Sequence, residues 1–116
     1  MELNDRVALV TGGAGGIGGA VAHSLANAGL SGIVVNYRRS GKEAEALASE
    51  IESHGVKAVA IQANIQSDDE VRRMVSRIKE DFGRLDVLVN NAGVTHWVKL
   101  ANLEGLTDAI WDEILD

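Results

Sequence analysis

Short apolar runs alternate with amphipathic stretches along this chain. Val7-Ala8-Leu9-Val10 is a continuous apolar run that ends at glycines. That is the pattern of a strand buried on both faces. From Gly16 the period changes. Ile17, Val21, Leu25 and Ala28 recur at helical spacing, and Gly29 is placed to stop the helix. Ile33-Val34-Val35 predicts a second strand. Ala44, Leu47, Ala48 and Ile51 predict a second helix closed by Gly55, and Val59-Ala60-Ile61 a short third strand. Ser67-Asp68-Asp69-Glu70 has the form of a capping box, in which the serine caps the Glu70 amide and the glutamate reaches back. The helix it opens carries Val71, Val75, Ile78 and Phe82 and stops at Gly83. Val87-Leu88-Val89 predicts a fourth strand, and Ile110, Trp111, Ile114 and Leu115 a last helical segment.

Strands alternating with helices of this length imply βαβ units and a parallel sheet. Right-handed crossovers place helices on both faces. The expected class is α/β: a Rossmann-type doubly wound parallel sheet, truncated after the fourth strand and its following helix. Strand one is expected at the centre, with strands two and three on one side and strand four on the other. A length of 116 residues is expected to make one domain over 1–116.

Composition narrows the partners. The formal charge of −6 argues against nucleic acid and anionic membrane. The absence of cysteine removes disulfides, thiolate nucleophiles and Cys-type zinc sites. No apolar stretch approaches the ~20 residues that span a bilayer, and Met1-Glu2-Leu3-Asn4-Asp5-Arg6 has no signal-peptide form. A cytoplasmic location is the expectation.

Thirteen glycines are many, and they cluster where chemistry is expected. Thr11-Gly12-Gly13-Ala14-Gly15-Gly16-Ile17-Gly18 lies between the first strand and the first helix. Glycines let a pyrophosphate approach the main chain, and the free amides of the helix start face that anion. A Walker-type loop requires Lys-Ser or Lys-Thr after its last glycine. Gly19-Ala20 stands there instead. A glycine turn that merely allows tight helix–strand packing is the alternative. A second candidate segment, Asn90-Asn91-Ala92-Gly93, follows the fourth strand. In a parallel sheet with strands one and four adjacent, both segments reach the switch point where ligands bind.

The spacing T-G-x-x-x-G-x-G, with N-N-A-G after the fourth strand, resembles the short-chain dehydrogenase/reductase family. The resemblance runs through the whole chain in element order but covers only the first half of a family member. It implies dinucleotide binding by Gly12, Gly16, Ile17 and Gly18. It also implies that Thr11 and Asn91 tie strands together, and that Asn90, Ala92 and Gly93 line the ribose and nicotinamide side.

Cofactor choice is read at the end of the second strand. NAD-preferring folds usually carry an acid there, which accepts from the ribose 2′-hydroxyl. This chain has Asn36-Tyr37-Arg38-Arg39-Ser40. Tyr37 takes the acid position, and Arg38 and Arg39 suit a 2′-phosphate by fork geometry. NADP(H) is therefore expected over NAD(H), although Gly15 stands where many NADP-preferring relatives have a basic residue. After the third strand, Asn64-Ile65 takes the place of the family's Asp-aliphatic pair at the adenine. A simple turn asparagine is an equal reading.

The family's chemistry uses a tyrosine and a lysine four residues later, with an upstream serine and an asparagine. The chain has one tyrosine, Tyr37, and no Tyr-x-x-x-Lys. No catalytic residue and no metal ligand is therefore assigned. His23 and His54 read as surface or packing residues, and His96-Trp97 as a loop or a substrate-pocket lining. A fourth strand left as an exposed edge would dimerise or accept a completing polypeptide. The resemblance implies NAD(P)-dependent carbonyl/alcohol hydride transfer, and this chain by itself is expected to be inactive. The rival reading is a non-catalytic dinucleotide-binding or interaction module. A receiver-type signalling domain fits poorly, since Thr11-Gly12 ends the first strand where an acidic pocket is needed.

Overall fold

A computed structural model describes residues 5–12, 16–39, 41–90 and 96–99. The elements run β1 (Val7–Thr11), α1 (Gly16–Asn27), β2 (Gly32–Tyr37), α2 (Gly41–Ser53), β3 (Lys57–Gln62), α3 (Asp68–Phe82), β4 (Val87–Asn90) and β5 (His96–Lys99). They build one sheet in the order β3-β2-β1-β4-β5. The first four strands are parallel, with β1 central as expected for a doubly wound sheet.

Side-chain alternation divides the core between the two faces. Ala8, Val10, Ile33 and Val35 pack with Ala22 and Leu25 of α1 and with Ala44, Leu47 and Ile51 of α2. Leu9, Val34 and Leu88 pack with Val71, Met74 and Ile78 of α3. The inward face of α3 thus includes Met74, while Val75 is only partly covered. The predicted stops hold: Gly29, Gly55 and Gly83 all adopt positive φ, and the Gly83 N–H donates to the Lys79 carbonyl at 2.9 Å.

Two expectations change. The fourth strand is not an edge. β5 pairs with it antiparallel, from Val87↔Lys99 to Asn90↔His96. The backbone groups expected to be open are therefore bonded within the chain, and docking through a bare fourth strand loses its basis. His96 and Trp97 accordingly lie in a strand rather than a loop. The capping box is half formed. Ser67 Oγ accepts from the Glu70 amide at 3.4 Å, but Glu70 Oε1 accepts from the Asn64 amide at 3.2 Å rather than from Ser67. The Ser67 amide is already committed to the Asn64 carbonyl at 2.9 Å. The predicted helix around Ile110–Leu115 lies outside the described residues.

The strand starts are held by a charged cluster. Asp86 is 5% exposed. Its carboxylate accepts from the Val7 amide at 2.9 Å, from Arg84 at 2.7 and 2.8 Å and from Arg6 at 3.2 Å. Burial pushes its pKa up and is the largest single influence. The bonds from Arg84, Val7 and Arg6 and the charge of Arg84 together outweigh it, so the carboxyl lies below the ordinary aspartate value. The same contact with Asp86 raises the Arg84 pKa.

Candidate functional site

The candidate residues gather at the opposite, C-terminal ends of the strands. Thr11 is fully buried at the end of β1. Its register partner is Asn90, and its hydroxyl donates to the Val89 carbonyl at 3.4 Å. The ends of β1 and β4 are thereby side by side, as the two sequence motifs require. Gly12 then turns the chain with φ 60°, a conformation that side chains with a Cβ resist. α1 begins at Gly16, so Gly16, Ile17 and Gly18 form the first turn, where helix amides have no intrahelical acceptor.

The end of β2 is fastened to the end of β3. The Ala63 amide donates to the Tyr37 carbonyl at 3.0 Å. Gln62 Nε2 donates to the Arg38 carbonyl at 3.1 Å. Asn36 is 2% exposed, and its Nδ2 donates to the carbonyls of Ile61 at 3.3 Å and Ala63 at 3.1 Å. Beyond β3 the chain makes a tight turn, with Asn64 Oδ1 accepting from the Gln66 amide at 3.0 Å. Glu70 holds that turn from α3.

These bonds frame a cavity of about 240 Å³ lined by Gly12, Asn36, Arg38, Ala63, Asn64, Ile65 and Gln66. It therefore joins predicted residues from the ends of three strands: Gly12, Arg38, Asn64 and Ile65. Among the described lining residues none carries a carboxylate, and Arg38 is the single formal charge. Tyr37 is half-buried and turned toward the start of α2, where a Cβ on Gly41 would stand 3.4 Å from its ring. Arg39 is exposed and outside the lining. Asn91, Ala92 and Gly93 lie outside the described residues.

A cavity at the carboxyl ends of β1, β2 and β3, beside a glycine turn that opens a helix, is the ligand-binding place of a doubly wound sheet. The family model for short chain dehydrogenase matches residues 6–116. The chain belongs to that family. Short chain dehydrogenase relatives include the 3-oxoacyl-[acyl-carrier-protein] reductase FabG of Staphylococcus epidermidis, 43% identical over 97% of this chain and 44% of its own length. The 3-oxoacyl-[acyl-carrier-protein] reductase of Synechocystis sp. is 43% identical over 98% of this chain and 44% of its own. Among solved structures, a short chain dehydrogenase from Burkholderia cenocepacia in complex with NADP superposes with a TM-score of 0.74 at 41% identity. It covers 99% of this chain, which spans 45% of that protein. The chain thus spans less than half the length of the short chain dehydrogenases it matches.

Sequence reasoning did not single out Asn36 or Glu70 as builders of this site. A polar residue closing the apolar run of β2 was the available signal for Asn36. Glu70 was noticed only as a helix-start residue. Of the histidines, His23 lies 3.6 Å from Glu50, between α1 and α2, and His54 is exposed. Among the described residues no group of three or more His, Asp or Glu is placed to hold a metal ion. No described helix is long and apolar enough to cross a membrane.

Proposed function

We propose that this chain is the cofactor-binding domain, over residues 1–116, of a cytoplasmic NADP(H)-dependent oxidoreductase that moves hydride between carbonyl and alcohol groups. The observation that carries the reading is Arg38 on a cavity with no carboxylate among its described lining residues, beside Gly12 and the Asn64-Ile65 turn. The residues present fit the group. A glycine at φ 60° and the amides of the α1 start suit a pyrophosphate. The mostly apolar cavity suits adenosine, and a guanidinium suits a 2′-phosphate. In this assignment Gly12, Gly16, Ile17 and Gly18 hold the pyrophosphate. Asn64 and Ile65 flank the adenine. Arg38 meets the 2′-phosphate, with Tyr37 and Arg39 bordering it, and Asn90, Ala92 and Gly93 face the ribose and nicotinamide.

When bound, the nicotinamide supplies or accepts the hydride. The chain's own contribution is to orient the dinucleotide and to neutralise its phosphates. No Tyr-x-x-x-Lys occurs in these 116 residues, so proton transfer to the substrate oxygen falls to residues outside them. The 3-oxoacyl-[acyl-carrier-protein] named for two relatives is one carbonyl substrate compatible with the reading.

Titration with NADPH and NADH, followed by fluorescence of Trp97 and Trp111, tests the proposal. NADPH is expected to bind tighter by tenfold or more, about 1.4 kcal/mol, without turnover. Equal affinities would remove the Arg38 argument. Binding of neither would leave the chain's relationship to dehydrogenases one of ancestry alone.

A further inference from the structure

We propose that Asn36 is a selectivity-determining positioning residue, which sets the separation of the two cavity walls and so holds Arg38 at the cavity. The inference rests on the NADP(H) reading above.

Asn36 sits at the end of a strand otherwise filled with apolar residues. It is one of three buried polar or charged residues among those described. Asn36 stands two positions before Arg38, which follows the end of β2, and both line the cavity. Its two amide protons go to two carbonyls of the facing segment, Ile61 and Ala63. Two acceptors on one side fix the orientation of the amide. A flipped amide would set its oxygen against both carbonyls, which is repulsive. Asn36 therefore acts as a staple between the β2 wall, which carries Arg38, and the Ala63-Asn64-Ile65 wall.

The backbone ladder alone does not do this. The last β2–β3 backbone bond runs from the Ala63 amide to the Tyr37 carbonyl. The Ala63 carbonyl then points back across the gap and is met by Asn36. Without the staple, that carbonyl is buried without its donor, which is costly enough to drive the turn to re-orient. The walls would then relax at the place where a 2′-phosphate is discriminated from a 2′-hydroxyl. Among the described residues Arg38 makes no ion pair that would hold it there independently. Its own carbonyl is tied to Gln62, so the backbone at 38 follows the position of the β3 end.

The test is a double-mutant cycle on the ratio of NADH to NADPH dissociation constants, with Asn36→Ala, Arg38→Ala and the pair in the full chain. Asn36→Ala is expected to lower the ratio about fivefold or more, and by less than about twofold when Arg38 is already Ala. Such non-additivity is the mark of residues that act as a unit. Asn36→Ser, which keeps one donor and fills less of the wall, is expected to fall between wild type and Asn36→Ala. It carries the test if the alanine variant does not fold.

A lower melting temperature with an unchanged ratio overturns the proposal and leaves Asn36 a structural residue. An equal loss of ratio in both Arg38 backgrounds overturns the route through Arg38. If wild type shows no preference for NADPH, the NADP(H) reading itself fails. That outcome is distinct, because it is seen before any substitution at position 36.

Discussion

Phe82 lies against the backbone of Gly32 so closely that a Cβ at position 32 would stand 2.5 Å from its Cδ1. Gly32 opens β2, between Val7 of β1 and Lys57 of β3. Phe82 ends α3 and stops the helix against the bare stretch of strand that glycine provides. Lys57 completes the arrangement, with its ammonium 4.5 Å from the Phe82 ring centroid and donating to the Asp81 carbonyl. Gly32→Ala must push the ring off the sheet, and overpacking of this kind costs about 1–3 kcal/mol. The contact is at the end of the sheet away from the cavity. Denaturant midpoints should therefore fall while the NADPH-to-NADH preference stays as it is. An unchanged midpoint would mean that the ring moves aside freely.

Asp86 governs stability at that same end, and its effect depends on pH. Its carboxyl titrates lower in the folded chain than in the unfolded one, because its hydrogen bonds and the Arg84 charge outweigh burial. The unfolded chain therefore takes up this proton first as pH falls. The stabilisation is complete above the unfolded value and disappears as pH drops through the folded one. Asp86→Asn keeps the shape and loses the charge. It is expected to cost about 1–3 kcal/mol at neutral pH, the range for breaking a buried, hydrogen-bonded polar contact. In acid the gap between variant and wild type should close. Chemical denaturation across pH checks this, and a gap that stays constant into acid would contradict it.

Most of the fold was legible from spacing alone. The buried run Val7–Val10, the helical recurrence of Ala44, Leu47, Ala48 and Ile51, and the glycine stops each act over a few residues, so local sequence carries them. The central place of β1 followed from the strand order of a doubly wound sheet. The parts that escaped depend on partners distant in sequence. Asp86 reads as one more charge until Arg6, 80 residues away, closes on it. The staple by Asn36 joins positions 25 and 27 residues apart. The pairing of β5 with β4 reflects competition for open backbone groups, which no hydrophobic period encodes. The site was legible in outline for a related reason. Glycine turns and the Arg38-Arg39 pair are local, whereas which arginine meets the cavity is decided by the course of the chain after Tyr37.

The N-terminus of α3 separates two roles that the sequence had merged. Ser67 caps the helix, and Ser67→Ala should cost about 1 kcal/mol of stability with cofactor affinity unchanged. Glu70 instead reaches out of the helix to the Asn64 amide and steadies the turn that forms one cavity wall. Glu70→Ala is expected to weaken NADPH and NADH by a similar factor, severalfold, since a net hydrogen bond to a charged group is worth about 1.5–3 kcal/mol and the ligand recovers part of it. Paired measurements of melting temperature and dissociation constant distinguish the two variants. If Ser67→Ala loosened binding as much as Glu70→Ala, the turn would depend on the helix as a whole.

The two arginines after β2 should behave unequally. Arg38 lines the cavity and Arg39 does not, although both are exposed. A 2′-phosphate held by an exposed guanidinium interacts through a screened field, which weakens as the Debye length shortens from about 10 Å at 0.1 M salt to about 3 Å at 1 M. NADPH affinity should therefore fall more steeply with salt than NADH affinity, since the two share every phosphate but one. Arg38→Ala should bring the two salt slopes together and remove most of the preference. Arg38→Lys should keep the salt dependence while losing part of the preference, because an ammonium carries the charge without the fork. Arg39→Ala should leave most of both. Slopes that already coincide in the wild type would show that charge at Arg38 does not read the 2′-position. Selectivity would then have to come from the shape of the Asn36–Ala63 wall alone.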